Sequence, residues 1–158
     1  MSIILGIDPG YRITGYGILR EYKNKLIYIK SGCILTKLNN IYDRLKLIYS
    51  ELTNIIKKFK PECLSIEKVF IYKNTNSIIK LSQARGVAII AAINLDLFVF
   101  EYTSSKVKQV VTGIGSSNKN DVKKFIINLF KLPSNIKYDE SDALAIAVTH
   151  FYSKKYLM

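Results

Sequence analysis

Tryptophan is absent from this chain, histidine occurs once and cysteine twice. Cys33 and Cys63 lie in apolar, strand-like contexts with no partner His or Cys motif nearby, so they read as thiols buried in a reducing compartment. No segment is long and apolar enough to span a bilayer, since the longest apolar stretch, residues 86–100, is interrupted by Asn94 and Asp96. No basic residue precedes the first apolar run, as a secretory signal would require, and the expected location is the cytoplasm. Internal repeats, low-complexity tracts and linkers are also missing, which leads us to expect one domain over residues 1–158.

Acid is the scarce charge. Lys and Arg total 24 against 12 Asp and Glu, a formal net charge of +12. Such an excess on a small domain calls for an anionic partner, and nucleic acid is the natural one. The competing explanation is coding bias, because the chain is rich in Ile, Lys, Asn and Tyr. Hydrophobic residues at 49% and charged residues at 23% are ordinary for a globular protein.

Residues 3–7, 14–21 and 25–35 read as three consecutive strands, with a hairpin turn at residues 23–25. Ile41, Leu45, Ile48, Leu52, Ile55 and Phe59 recur at helical spacing, Asn40 is placed as cap and Pro61 lies past the end. "CLSIE", residues 63–67, is a short buried strand. An Ala-rich helix over residues 76–94 follows, in which Ala84, Gly86, Ala88, Ala91 and Ala92 suit close packing on a sheet. "LFVFEY" is a fifth strand, and further helices begin near Ser104, Asn118 and Asp139. This order describes an α/β layer sandwich around one mixed sheet.

Within that frame the few acids are oddly placed. Asp8 ends the first strand and Glu67 ends the fourth, where a strand buried on both faces would stay apolar. Asp139 and Asp142, three apart, project from one face of the last helix. If that helix start packs over the ends of strands one and four, three or four carboxylates converge. Such a cluster repels itself unless a cation sits within it, and hard oxygen ligands suit Mg²⁺ or Mn²⁺. Two such ions support phosphodiester hydrolysis without a histidine base, consistent with the lone His150. Each acid also has a plainer reading: Asp8 before Pro9 and Gly10 as a turn residue, and Asp139 with Asp142 as helix-start caps. Gly10, Gly15 and Gly17 suggest a phosphate cradle of the kind in actin-like nucleotide folds. The chain is too short for a second lobe and has no G-x-x-x-x-G-K-[ST] loop, so ATP binding is a minor alternative.

Basic and aromatic residues surround these positions in sequence. Phe70 and Tyr72 alternate with Lys68 and Lys73 directly after Glu67, a pattern suited to stacking on a base while holding phosphates. Phe70 as a core residue is the alternative. Lys106, Lys108, Lys119, Lys123 and Lys124 add charge downstream, and Lys119 stands near a helix start, where backbone N–H groups also meet phosphate.

"ILGIDPGYRITGYGIL", "IEKVF", "QARGVAI", "VKQVVTGIGSSNK" and "SDALAIAVTH" together resemble the bacterial RuvC crossover junction endonucleases, in order and over nearly the whole chain. The resemblance implies a ribonuclease H-like three-layer fold with a five-stranded mixed sheet, and a homodimer bound to a four-way Holliday junction. It also implies symmetric Mg²⁺-dependent nicks that leave 5′-phosphate and 3′-hydroxyl ends, and cooperation with the RuvA and RuvB branch-migration proteins. Position by position, Asp8, Glu67, Asp139 and Asp142 match the catalytic, metal-binding acids. Phe70 matches the aromatic residue that engages the junction, and Lys108 and Lys119 match basic residues near the scissile phosphate. The chain departs from the pattern at Lys68 and Asp121, each where a Gln is common, and it lacks the basic tail of longer relatives.

Overall fold

The computed structural model describes residues 2–70 and 75–154. Strands β1 (Ser2–Asp8), β2 (Ile13–Tyr22) and β3 (Lys25–Leu35) form an antiparallel meander. Lys23 and Asn24, both at positive φ, make the two-residue turn between β2 and β3. Helix α1 (Ile41–Phe59) then crosses to β4 (Cys63–Glu67), and α2 (Thr75–Ile93) crosses to β5 (Phe98–Tyr102). Helices α3 (Ser104–Thr112), α4 (Lys119–Phe130) and α5 (Tyr138–Lys154) complete the order. The sheet runs β3-β2-β1-β4-β5, with β4 parallel to both β1 and β5.

Parity along the strands divides the core in two. Leu5 and Ile7 of β1, Leu64 and Ile66 of β4, and Ile18 and Ile34 pack beneath α1 and α2. Ile4, Leu19 and Cys63 face α3, α4 and α5. The result is three layers, helices on both faces of one mixed sheet. Helix α1 starts on Asn40, whose side chain accepts from the Tyr42 amide, and stops at Lys60 in the left-handed region before Pro61. Its buried line is Ile48, Leu52 and Ile56; Leu45, Ile55 and Phe59 of the expected stripe are only partly buried.

Ala84, Ala88, Ala91 and Ala92 are fully buried as the spacing requires. Gly86 is not part of that seam: it faces outward, with nothing within 4 Å of the place a Cβ would occupy. Both cysteines are free thiols, Cys63 buried and Cys33 half-buried. Burial pushes them up to about 12 and about 11, so both stay protonated near neutrality. Among the described residues no helix is long and apolar enough to cross a membrane.

Candidate active site

Three glycines make the site possible. Ile4, Gly6 and Asp8 of β1 pair with Leu19, Gly17 and Gly15 of β2, so these six residues share one face of the sheet. Helix α5 lies directly on the glycines. A Cβ on Gly6 would overlap the Ala143 carbonyl, one on Gly15 the Asp139 carbonyl, and one on Gly17 the Leu144 side chain. The phosphate-cradle reading of Gly15 and Gly17 is therefore replaced by a packing one: they form the floor that lets the last helix approach.

That approach carries Asp139 and Asp142 to the end of β1. The side chains between them are held elsewhere. Ser141 is buried with its hydroxyl on the Tyr138 carbonyl (2.9 Å), and Glu140 accepts from Ser31 of β3 (2.5 Å). Glu67 arrives from the other side. Ile7 pairs with Ile66 in the parallel β1–β4 register, and Asp8 and Glu67 are the next residues of the two strands. Both acids thus leave the carboxyl edge of adjacent parallel strands, where open α/β sheets place ligands.

Asp8, Glu67, Asp142, Ser104, Lys108 and Lys119 line one cavity of about 180 Å³. The Lys119 ammonium stands 3.7 Å from the Asp142 carboxylate. Burial foremost, then the charges of Asp142, Glu67 and Asp139, push Asp8 well above the usual carboxylate range, with Lys119 opposing. Glu67 is raised chiefly by burial, against a hydrogen bond from Ser104 and the charges of Lys119 and Lys108. Asp142 is raised by burial and Asp139, against Lys119 and Lys108. These acids feel one another, and carboxylates so arranged resist ionising together.

The donor set is all hard oxygen, which fits Mg²⁺ or Mn²⁺. As placed, however, no three His, Cys, Asp or Glu side chains among the described residues stand close enough to hold an ion. Asp139 is the outlying member, acting on Asp8 and Asp142 through charge without lining the cavity.

A second cavity, about 460 Å³, shares Asp8 and Glu67 and is walled by Pro9, Phe70 and Leu81. Phe70 is 51% exposed, so it faces this space and is not a core residue. Tyr72 and Lys73 lie outside the described residues. Lys106 and Lys124 are on exposed helix surface, and Lys123 lies over the Tyr138 ring at 4.7 Å.

Two residues important to the geometry escaped the sequence reading. Ser104 lines both cavities with Glu67 and opposes the upward shift of its carboxyl, while Thr103 is the cap of α3. Arg85 donates from Nε to the Glu67 carbonyl (3.0 Å) and pairs with Glu101, tying α2 to the ends of β4 and β5. Asp121 has a structural explanation: with Asn118 it forms a reciprocal capping box at the start of α4, the turn that presents Lys119. His150 is buried, bonded through Nδ1 to the Tyr102 hydroxyl (2.9 Å) and packed on Phe100, outside the acid cavity.

Comparison with known proteins identifies the relatives of this chain. The family described as "Crossover junction endodeoxyribonuclease RuvC" matches residues 4–150. A protein of that name from Citrobacter koseri is 56% identical over 150 residues, covering 95% of this chain and 87% of the relative. One from Salmonella paratyphi C is 54% identical over 158 residues, covering 100% of this chain and 91% of the relative. Among solved structures, Thermus thermophilus RuvC in complex with a Holliday junction substrate superposes with a TM-score of 0.89 at 26% identity, over 99% of this chain and 97% of that one. This chain belongs to the RuvC family of crossover junction endodeoxyribonucleases.

Proposed function

We propose that the chain resolves Holliday junctions in recombination and repair by paired, symmetric nicks that leave 5′-phosphate and 3′-hydroxyl ends. One observation carries the chemistry: Asp8, Glu67 and Asp142, from β1, β4 and α5, line one cavity at the sheet edge beside Lys108 and Lys119, with Asp139 acting on Asp8 and Asp142 through charge. Asp8, Glu67, Asp139 and Asp142 are the residues that hold the divalent ions, Mg²⁺ with Mn²⁺ as substitute. Bound there, such ions supply an activated water and neutralise the leaving oxygen of a phosphodiester. Lys108 and Lys119 orient the scissile phosphate by charge and offset the carboxylates when the strand approaches. Ser104 keeps the Glu67 carboxylate in place. Phe70, exposed over the larger cavity, stacks on an unpaired base at the crossover.

A two-fold junction requires two such sites, and so a homodimer. The outer face of α2 supports that assembly, with Ile79, Ile90 and Ile93 exposed on either side of the open Gly86. The reading extends to one nuclease domain over residues 1–158, a cytoplasmic location, and a place beside RuvA and RuvB.

The test is cleavage of a labelled synthetic four-way junction in Mg²⁺, alongside linear duplex and an RNA–DNA hybrid, with Asp8→Asn as control. Paired junction nicks that ligase can seal, absent in the variant, are the expected result. Preferential cutting of the hybrid, or binding without cutting, contradicts the reading.

A further inference from the structure

A group of cations on the far side of Asp8 plays no part in the chemistry above. Arg12 follows Asp8 by four residues, in the loop between β1 and β2, and that loop is pinned. The Thr36 hydroxyl donates to the carbonyls of Tyr11 (2.5 Å) and Arg12 (3.2 Å), and the Thr36 amide donates to Arg12 (3.0 Å). The Thr14 hydroxyl donates to the Gly10 carbonyl (2.7 Å), closing the loop from below. Tyr11 packs against the core under α1 and α2. Its ring gathers two charges, the Arg12 guanidinium carbon at 5.6 Å and the Lys80 ammonium at 5.5 Å from the centroid. Lys37 is exposed and directly follows Thr36, the residue that bonds the Arg12 carbonyl.

Two cations that tie elements of the fold together are paired with acids, Arg85 with Glu101 and Lys154 with Glu21. Among the described residues, Arg12, Lys37 and Lys80 have no acid within 4.0 Å. All three are exposed. Like charges held together on an aromatic ring, at a fixed place, are unfavourable until an anion offsets them. Their position is also telling. Lys108 and Lys119 approach Asp8 from the α5 face of the sheet, whereas Tyr11 and Lys80 belong to the α2 face. Leu81, next to Lys80, lines the larger cavity together with Asp8.

We propose that Tyr11, Arg12, Lys37 and Lys80 form a second phosphate-backbone contact, gripping junction DNA on the flank of the acids opposite Lys108 and Lys119. The inference rests on the nuclease reading and adds to it a second backbone-holding surface on the α2 flank of the acids. Arg12 supplies a planar fork that suits phosphate, and its ring support limits the freedom lost on binding. The contact carries no sequence information; it fixes the register of the DNA on the protein.

The test measures binding of a labelled four-way junction to the full chain across a salt series, without divalent ions. The double variant Arg12→Gln/Lys80→Gln is compared with Lys57→Gln/Lys58→Gln, which removes the same charge from the last turn of α1, where the chain enters the start of β4, at the opposite end of the parallel strands from Asp8 and Glu67. The first pair is expected to weaken binding and to lower the magnitude of the log–log salt slope by about two, the second to leave the slope close to wild type. Lys80→Gln alone, a single exposed change, is expected to lower it by about one. An unchanged slope in the first pair, or an equal loss in the second, overturns the proposal while the nuclease reading stands. A wild-type chain that does not prefer the junction to linear duplex overturns the nuclease reading itself, and the contact with it.

Discussion

Gly15 of β2 lies under Asp139 of α5 so closely that a Cβ on the glycine would overlap the aspartate's carbonyl oxygen. Backbone against backbone leaves no flexible side chain to yield. Gly15→Ala should therefore lift the start of α5 from the sheet, costing roughly 1–3 kcal/mol of stability. Because Asp139 and Asp142 move with that helix, junction cleavage at saturating DNA should fall while junction affinity holds. Thermal unfolding together with single-turnover cleavage reads both effects, and a variant that is destabilised yet cuts normally contradicts the seating argument.

The raised carboxyl groups make the metal-free protein carry a penalty. Folding favours the protonated forms of Asp8, Glu67 and Asp142. Their stabilising contribution is complete below the unfolded pKa and is lost as pH rises through the raised folded values. At neutral pH without divalent ions, Asp8→Asn should raise the melting temperature although it removes cleavage. Mg²⁺ should stabilise wild type and do so less in the variant. Melting curves with and without Mg²⁺ decide; a variant less stable than wild type in the absence of Mg²⁺ counts against the clustered acids.

Ser104 stands beside Glu67 in the acid cavity and opposes the upward shift of its carboxyl. Ser104→Ala should lower apparent Mg²⁺ affinity in cleavage by roughly 10–100-fold, as loss of a partner to a metal-holding group does. Excess Mg²⁺ should restore the rate, and Ser104→Thr should behave like wild type. A rate deficit that no Mg²⁺ concentration repairs would place Ser104 elsewhere in the chemistry.

His150 gives the opposite pH signature from the acids. Burial, with Lys154, pushes it down to about 4 from an ordinary value of 6.5. The unfolded chain takes up a proton that the folded one refuses, so between those values stability falls as pH falls. The loss approaches about 3 kcal/mol at the lower end. Urea unfolding across that window should show the slope in wild type and a flatter one in His150→Gln.

Much of the fold was legible because its signals are local. The aliphatic runs, the turn at Lys23 and Asn24, and the Asn40 and Asn118 caps each act within a few residues. Asp8 and Glu67 were legible because an acid that ends an aliphatic strand needs a reason. The glycines were harder: their spacing in β2 signals a close approach but not what approaches, and only the sheet register shows that it is α5. Arg85 and Ser104 were illegible as parts of the site. Their partner, Glu67, lies 18 residues away from Arg85 and across a helix crossover from Ser104, and nothing in an Ala-rich helix or a Thr-Ser cap marks a long-range bond. Asp121, a departure within the family motif, is explained by its own backbone, as one half of a cap.

The central claim is that Asp8, Glu67, Asp139 and Asp142 act as one metal-holding set. The most direct test replaces each in turn, Asp8→Asn, Glu67→Gln, Asp139→Asn and Asp142→Asn, and measures junction binding and single-turnover cleavage in Mg²⁺. All four variants are predicted to bind the junction about as well as wild type and to lose cleavage. A variant that cuts at the wild-type rate would contradict the account at that residue, and retention at Asp139 or Asp142 would return that acid to a helix-capping role.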